Sequence, residues 1–219
     1  MTFAADAAAA PATPTKHYAW LVFALTFGLL VSDYMSRQVL SAVFPLLRAE
    51  WSLSDGQLGA LSSIVALMVG LLTLPLSALA DRFGRSRSLV IMALLWSLAT
   101  AACAVARDYQ EMFWARFMVG VGEAAYGSVG IAVVLGVFPK SLRATLTGAF
   151  MAGGLFGSML GVSLGGAVAG AMGWRPAFGI MALVGIALSA AYALCINDRR
   201  LAAAGAEPAN AAVPQAPGG

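Results

Sequence analysis

The feature that most constrains this chain is a succession of six apolar runs, each about as long as a bilayer is thick. A helix needs roughly 20 apolar residues to cross the hydrocarbon core. Runs of that length lie at 18–46, 56–79, 87–106, 110–138, 142–171 and 175–196. Between them stand short polar connections: RAEWSLSD, ADRFGRSR, ARDYQ, PKSLR and GWR. In lipid the backbone has to satisfy its own hydrogen bonds, so such runs become helices. Composition agrees. An average soluble domain carries about 25% charged residues, whereas this chain has 11%, with 60% hydrophobic residues, and could not cover a water-facing surface. An all-α membrane protein of six transmembrane helices, residues 18–197, is the expectation.

The flanks read differently. Residues 1–17, MTFAADAAAAPATPTKH, have no basic leader and are interrupted by Pro11 and Pro14, so they read as a disordered tail rather than a signal peptide. Residues 198–219 are rich in Ala, Pro and Gly and read as a flexible linker or tail. Lys16, Arg82, Arg85, Arg87, Lys140, Arg143, Arg199 and Arg200 fall on one side of the spans, and only Arg48, Arg107 and Arg175 on the other. The positive-inside rule places both termini in the cytoplasm, and a cell (inner) membrane is the expected location. Trp20, Trp51, Trp114 and Trp174 stand near span ends, as interface anchors do, with Trp96 the exception. Cys103 and Cys195 lie in apolar runs without Cys or His company and read as packing residues. No metal or cofactor is implied, and no basic face with interleaved aromatics points to nucleic acid.

Four charges remain, and they lie inside spans: Asp33 and Arg37 in the first, Arg116 and Glu123 in the fourth. A charge at mid-membrane costs at least about 2.5–3.5 kcal/mol, so such residues face the bundle interior and find partners. Helical rise puts the two arginines at one depth and the two acids about 10 Å or less deeper. Asp33 and Arg37, spaced i,i+4, can pair within their own helix, which is a purely structural reading. Arg116 and Glu123 are seven residues apart and each needs a partner elsewhere. The functional reading is a central polar cavity. Its acids take up a proton, which desolvation of a carboxylate favours. Its arginines hold an anionic solute, because a planar guanidinium grips a carboxylate or phosphate bidentately. Tyr34, Ser36 and Tyr126 join Arg37 and Arg116 as substrate-contact candidates.

Two further patterns are local. In GGLFGSMLGVSLGG, Gly153, Gly157, Gly161 and Gly165 recur every four residues, which lets two helix backbones approach closely. In SALADRFGRSRSL (77–89), Asp81 opens a tight turn, Gly84 allows it, and Arg82, Arg85 and Arg87 hold the loop in the cytoplasm.

That loop resembles the signature G-x-x-x-D-R-x-G-R-[RK] of the major facilitator superfamily, through Asp81, Arg82, Gly84 and Arg85. Ser77 stands where glycine is usual, and Ser86 where a basic residue is usual. Arg116, Gly120 and Gly122 match the superfamily's R-x-x-x-G-x-G pattern in its fourth helix. The wording LSDGQLGALSS, WSLATA, VGVGEA and GWRPAF is most similar to spinster-like transporters, then to the anion:cation symporter branch. The resemblance covers residues 18–197. It implies half of a twelve-helix fold, a six-helix unit built as an inverted 3+3 repeat, of which ADRFGRS and GAMGWRP are a faint trace. It implies secondary transport by alternating access, proton-coupled, of a small organic solute, an anion or amphiphile. Proton coupling carries over onto Glu123, and a cavity-lining role onto Arg116. These branches show N-Y-x-D-R in the first helix. Here the stretch is Asp33-Tyr34-Met35-Ser36-Arg37, so the acid stands three residues earlier. Either Asp33 has taken over its role or Glu123 works alone.

Members of the superfamily have two six-helix halves. The expectation is therefore a half that is a fragment, pairs with itself, or pairs with a separately encoded second half. The one-sided charge bias argues against an antiparallel pair. The Gly153–Gly165 stripe, which in the family meets the other half, would then be uncovered. A non-transporting structural or regulatory membrane protein is the rival reading. An intramembrane protease is disfavoured, because the only histidine, His17, sits at the membrane edge and Asp33 has no aspartate partner within the spans.

Overall fold

The computed structural model describes residues 16–198 and Leu201. The expected tails, 1–17 and 198–219, otherwise lie outside the described residues. Seven α-helices form six spans, with no strand among the described residues. α1 (Lys16–Trp51), α2 (Asp55–Phe83) and α3 (Arg85–Val105) are the first three. α4 (Tyr109–Glu123) and α5 (Tyr126–Val137) share the fourth. After a 3₁₀ turn, Lys140–Leu142, come α6 (Arg143–Met172) and α7 (Trp174–Cys195).

The helix ends follow from local chemistry. Ser54 caps α2 with a reciprocal box: its hydroxyl accepts from the Gln57 N–H at 3.3 Å, and the Gln57 side chain accepts from the Ser54 N–H at 3.0 Å. Asp108 caps α4 by accepting from the Glu111 N–H at 2.8 Å. The α2–α3 and α6–α7 turns are made by Gly84 and Gly173, at φ +101° and +89°, conformations that side chains rarely adopt. Each glycine donates its N–H to the carbonyl four residues back, Ala80 and Ala169. These are the two stretches in which the sequence carries a trace of a repeat.

The packing respects that repeat. α1 lies mainly on α6 and also on α7, while α4 lies on α2 and α3, and α3 and α7 lie against each other. Exchanging the first three spans for the last three maps this scheme onto itself, as an inverted 3+3 unit requires. Tight glycine contacts mark both halves. A Cβ on Gly120 would stand 2.7 Å from the Met68 side chain and 3.0 Å from the Val65 backbone.

The glycine stripe is covered, which corrects the expectation. Its partner is α1 of the same chain. A Cβ on Gly153 would meet Phe27 at 2.5 Å, on Gly157 the Val31 carbonyl at 2.7 Å, on Gly161 the Met35 carbonyl at 2.6 Å, and on Gly165 Val39 at 2.6 Å. The glycines let α6 lie directly on the α1 backbone. What α6 leaves exposed is its other face, with Leu155, Met159 and Val162.

The interface-anchor expectation divides. Trp20 and Trp114 are exposed. Trp174 is buried, edge-on to Trp51 at 5.2 Å, and its indole N–H donates to Glu50 at 2.6 Å. Arg175 pairs with the same carboxylate at 2.8 Å, so GWR clasps the end of α1 to the start of α7. Cys103 and Cys195 are unpaired thiols, the first buried and the second half-buried.

Two apolar cores result. One gathers Leu47, Leu61, Met112, Trp174 and Phe178. The other gathers Leu29, Leu89, Trp96, Phe150 and Tyr192. Along α1 the second core ends at Leu30 and the first begins at Met35; along the fourth span the first ends at Val119 and the second begins at Ala125. Asp33 and Glu123 fall in that seam.

Candidate functional site

The local sequence builds the site by stopping a helix at it. The fourth span was expected to run unbroken over 110–138, but α4 ends at Glu123 and α5 starts at Tyr126. Gly122 sets the approach: a Cβ there would stand 2.6 Å from the Trp96 backbone nitrogen, so α4 touches α3 main chain to main chain just before the break. The backbone at the break is partnered. Thr73 donates its hydroxyl to the Ala124 carbonyl at 2.6 Å, and the Ala125 carbonyl accepts the Val129 N–H and the Ser128 hydroxyl, each at 3.0 Å. Irregular backbone at membrane depth is tolerated where protein buries it, and this break is buried.

The four intramembrane charges come together across α1 and α4. The Arg37 Nε forms an ion pair with one Glu123 carboxylate oxygen at 2.7 Å, and the Ser36 hydroxyl lies 3.4 Å from the other oxygen. Arg37 also reaches back to Asp33 at 3.5 Å. The within-helix pair predicted from i,i+4 spacing is therefore present, but the closer contact crosses to α4. Asp33 and Glu123 are neighbours, and each acts electrostatically on the other. Asp33, Glu123 and Ser36 are each no more than 3% exposed, whereas the Arg37 side chain is 26% exposed. Arg37 is thus the one member of the cluster that reaches out of it.

Arg116 behaves differently. It is 2% exposed, and among the described residues it forms no ion pair. Its guanidinium donates to two main-chain carbonyls, Ser36 at 3.4 Å and Leu61 at 3.5 Å, tying α4 to α1 and α2. A buried cation with only long contacts to neutral acceptors is costly unless nearby acids offset it. Asp33 and Glu123 reduce that cost at longer range, while Arg37 adds to it.

The other substrate-contact candidates separate. The Arg37 guanidinium lies 5.4 Å from the centre of the Tyr34 ring, whose edge fills the space over Gly154 of α6. Ser36 is inside the cluster. Tyr126 is not brought to it: fully buried, it donates its hydroxyl to the Thr26 carbonyl at 2.7 Å and stands edge-on to Trp96 at 4.8 Å.

The signature loop forms a second constellation at the far end of the bundle. Asp81 and Arg85 pair at 2.8 Å across the Gly84 turn. Asp198, beyond the last span, accepts the Ser86 N–H at 2.8 Å, and Ser86 donates its hydroxyl to the Ile196 carbonyl at 3.3 Å. Ser86, where the family pattern has a basic residue, is buried there. Sequence reasoning missed Asp198 and Glu50. Both are acids placed a few residues from a span end, a position from which a carboxylate can reach a neighbouring turn.

The pattern of the Major Facilitator Superfamily matches residues 26–216. Curated relatives include a probable L-galactonate transporter of Escherichia coli K12, 29% identical over 80% of this chain and 39% of its own length. A gallate transporter of Pseudomonas putida is 29% identical over 74% of this chain and 36% of its own. The chain thus spans well under half the length of these relatives. A crystal structure of a bacterial homologue of the human lysosomal transporter Spinster, inward-facing and occupied, superposes with a TM-score of 0.80 at 24% identity, over 84% of this chain and 46% of that one. At that identity the likeness is one of fold.

Proposed function

The chain belongs to the major facilitator superfamily, and from that premise we propose that it is the six-helix half of a proton-coupled secondary transporter for a small organic carboxylate. The observation that carries the proposal is the cluster: two arginines and two buried acids at the seam between two apolar cores, with Arg37 held by Glu123 at 2.7 Å and partly exposed. A proton on Glu123 removes the charge that holds Arg37. The released guanidinium is then available to the solute carboxylate, with Arg116 behind it. Loss of the solute lets Arg37 return and expel the proton. Proton and anion thereby travel together. Relatives named for galactonate, hexuronate and gallate, all carboxylates, support the substrate class. Substrates of such folds bind between two halves near the midplane, so a second half completes the cavity. The Lys/Arg bias supports an inner-membrane orientation with both termini in the cytoplasm.

The test is uptake of radiolabelled galactonate and gallate into proteoliposomes holding the chain, with an imposed pH gradient. Gradient-driven uptake that is lost in Glu123→Gln is the expected result. Uptake indifferent to the gradient overturns the coupling. A second reading, a non-transporting structural or regulatory half, treats the Arg37–Glu123 pair as a packing contact between α1 and α4. It predicts no uptake at all, together with a monomeric native mass in lipid nanodiscs.

A further inference from the structure

α2 and α3 splay after leaving the Gly84 turn and touch only sparsely. Between them lies an apolar cleft of about 190 Å³. Leu79 and Phe83 form one wall, Ile91 and Leu95 the other, and Val121 of α4 the floor. Phe83 and Ile91 are 66% and 58% exposed, so the cleft opens sideways.

Its mouth is basic. Arg87, Ile91 and Leu95 are spaced by four, so Arg87 continues the α3 wall by one turn toward the loop. Arg82 stands three residues beyond Leu79 and continues the α2 wall in the same way. Both arginines are exposed. The acids nearby are already engaged: Asp81 with Arg85, and Asp198 with the Ser86 N–H. No ion pair involves Arg82 or Arg87 among the described residues. A groove shaped for an acyl chain thus ends under two uncompensated cations.

We propose that this cleft binds an anionic phospholipid, with one acyl chain between α2 and α3 and the phosphodiester on Arg82 and Arg87. The charge complementarity selects the headgroup. Basic pockets between transmembrane helices at a membrane face recognise anionic lipid in this manner. A second cleft on the same molecule provides the contrast. It lies between α3 and α4 at the opposite end, lined by Leu98, Val105 and Met118, and has Glu111 at its edge. The one charged residue in its lining is an acid, Glu111, which disfavours a negative headgroup. The site requires only that the chain sits in a bilayer; it stands whether or not the chain transports.

Native mass spectrometry of the full chain tests it, with dioleoyl phosphatidylglycerol and dioleoyl phosphatidylcholine added in equal amounts to the detergent-solubilised protein. The chain retains phosphatidylglycerol preferentially. Each arginine contributes a factor of roughly fivefold to that preference, so Arg82→Gln/Arg87→Gln lowers it by about twenty-five-fold. Lys140→Gln/Arg143→Gln, which removes the two basic residues of the other loop on the same side, leaves it in place. Ile91→Trp, which fills the cleft from an exposed position, weakens retention of both lipids. Equal retention of the two lipids by the unmodified chain overturns the proposal. So does a preference that survives Arg82→Gln/Arg87→Gln, or one that Lys140→Gln/Arg143→Gln removes equally.

Discussion

Replacing Gly161 by alanine tests whether α6 belongs to α1. The new Cβ would stand 2.6 Å from the Met35 carbonyl oxygen, 2.8 Å from the Met35 Cα and 3.0 Å from the Gln38 Cβ. Two of the three atoms are backbone of a 36-residue helix, so relief requires moving α1 as a body. Overpacking of this kind costs about 1–3 kcal/mol. Alanine returns about 0.5–1 kcal/mol through the reduced chain entropy of the unfolded state. The net is a loss on the order of 1–2 kcal/mol. Gly170→Ala is the internal control: it lies on the same helix and is the same change, with nothing within 4 Å of the new carbon. It gains about 0.5–1 kcal/mol. The two variants should therefore differ by about 2 kcal/mol in opposite directions. The assay is unfolding by sodium dodecyl sulphate in mixed micelles, followed by circular dichroism. If Gly161→Ala unfolds at the same detergent fraction as Gly170→Ala, the α1–α6 contact is not the one that the glycines serve.

Two other perturbations are simpler. Gly84→Ala places a side chain at φ +101° and 2.7 Å from the Asp198 carboxylate, so it should cost about 1–3 kcal/mol in the same titration; a neutral effect would mean that the turn can relax. Trp174→Phe keeps the ring contact with Trp51 but deletes the indole N–H bond to Glu50, and should cost about 1 kcal/mol. If it costs nothing, Arg175 alone holds the clasp.

Much of this architecture is written in the sequence because lipid leaves a chain few choices. Six apolar runs have to become six helical spans, and all six spans are found. The four intramembrane charges were legible for the same reason: each is expensive unless paired, and the structure gathers them. The partner of each was not legible. Arg37 could close on Asp33 one turn away, and the sequence contains no signal that Glu123, 86 positions on, is the nearer acceptor. The break after Glu123 was hidden because Ala124 and Ala125 are helix formers; the tight seat of Gly122 on α3 and the Thr73 hydroxyl meet there only in three dimensions. The glycine stripe was legible as a packing surface, while its partner depended on which helix the fold brings alongside. Tyr126 shows the converse. A tyrosine three residues after Glu123 lies, on an unbroken helix, on the same face as the acid, and the break turns it into the core.

The displaced acid of the first span can be argued further. The family pattern puts an aspartate where this chain has Ser36, and the Ser36 hydroxyl lies 3.4 Å from Glu123. A carboxylate at 36 would therefore face Glu123 directly. Asp33 sits one turn away on the same face, still beside Glu123 and still within 3.5 Å of Arg37. The position of the acid changed, but its neighbours did not. If what matters for coupling is a second carboxylate sharing Arg37 with Glu123, the two placements are interchangeable. Asp33→Asn should then blunt the pH dependence of galactonate uptake into proteoliposomes, and Asp33→Asn/Ser36→Asp should restore it. Ser36→Asp alone should impair uptake, because three carboxylates would compete for one partly exposed arginine. A double variant no better than Asp33→Asn would refute the interchange, and an Asp33→Asn variant with the unaltered pH profile would leave Glu123 as the sole coupling acid.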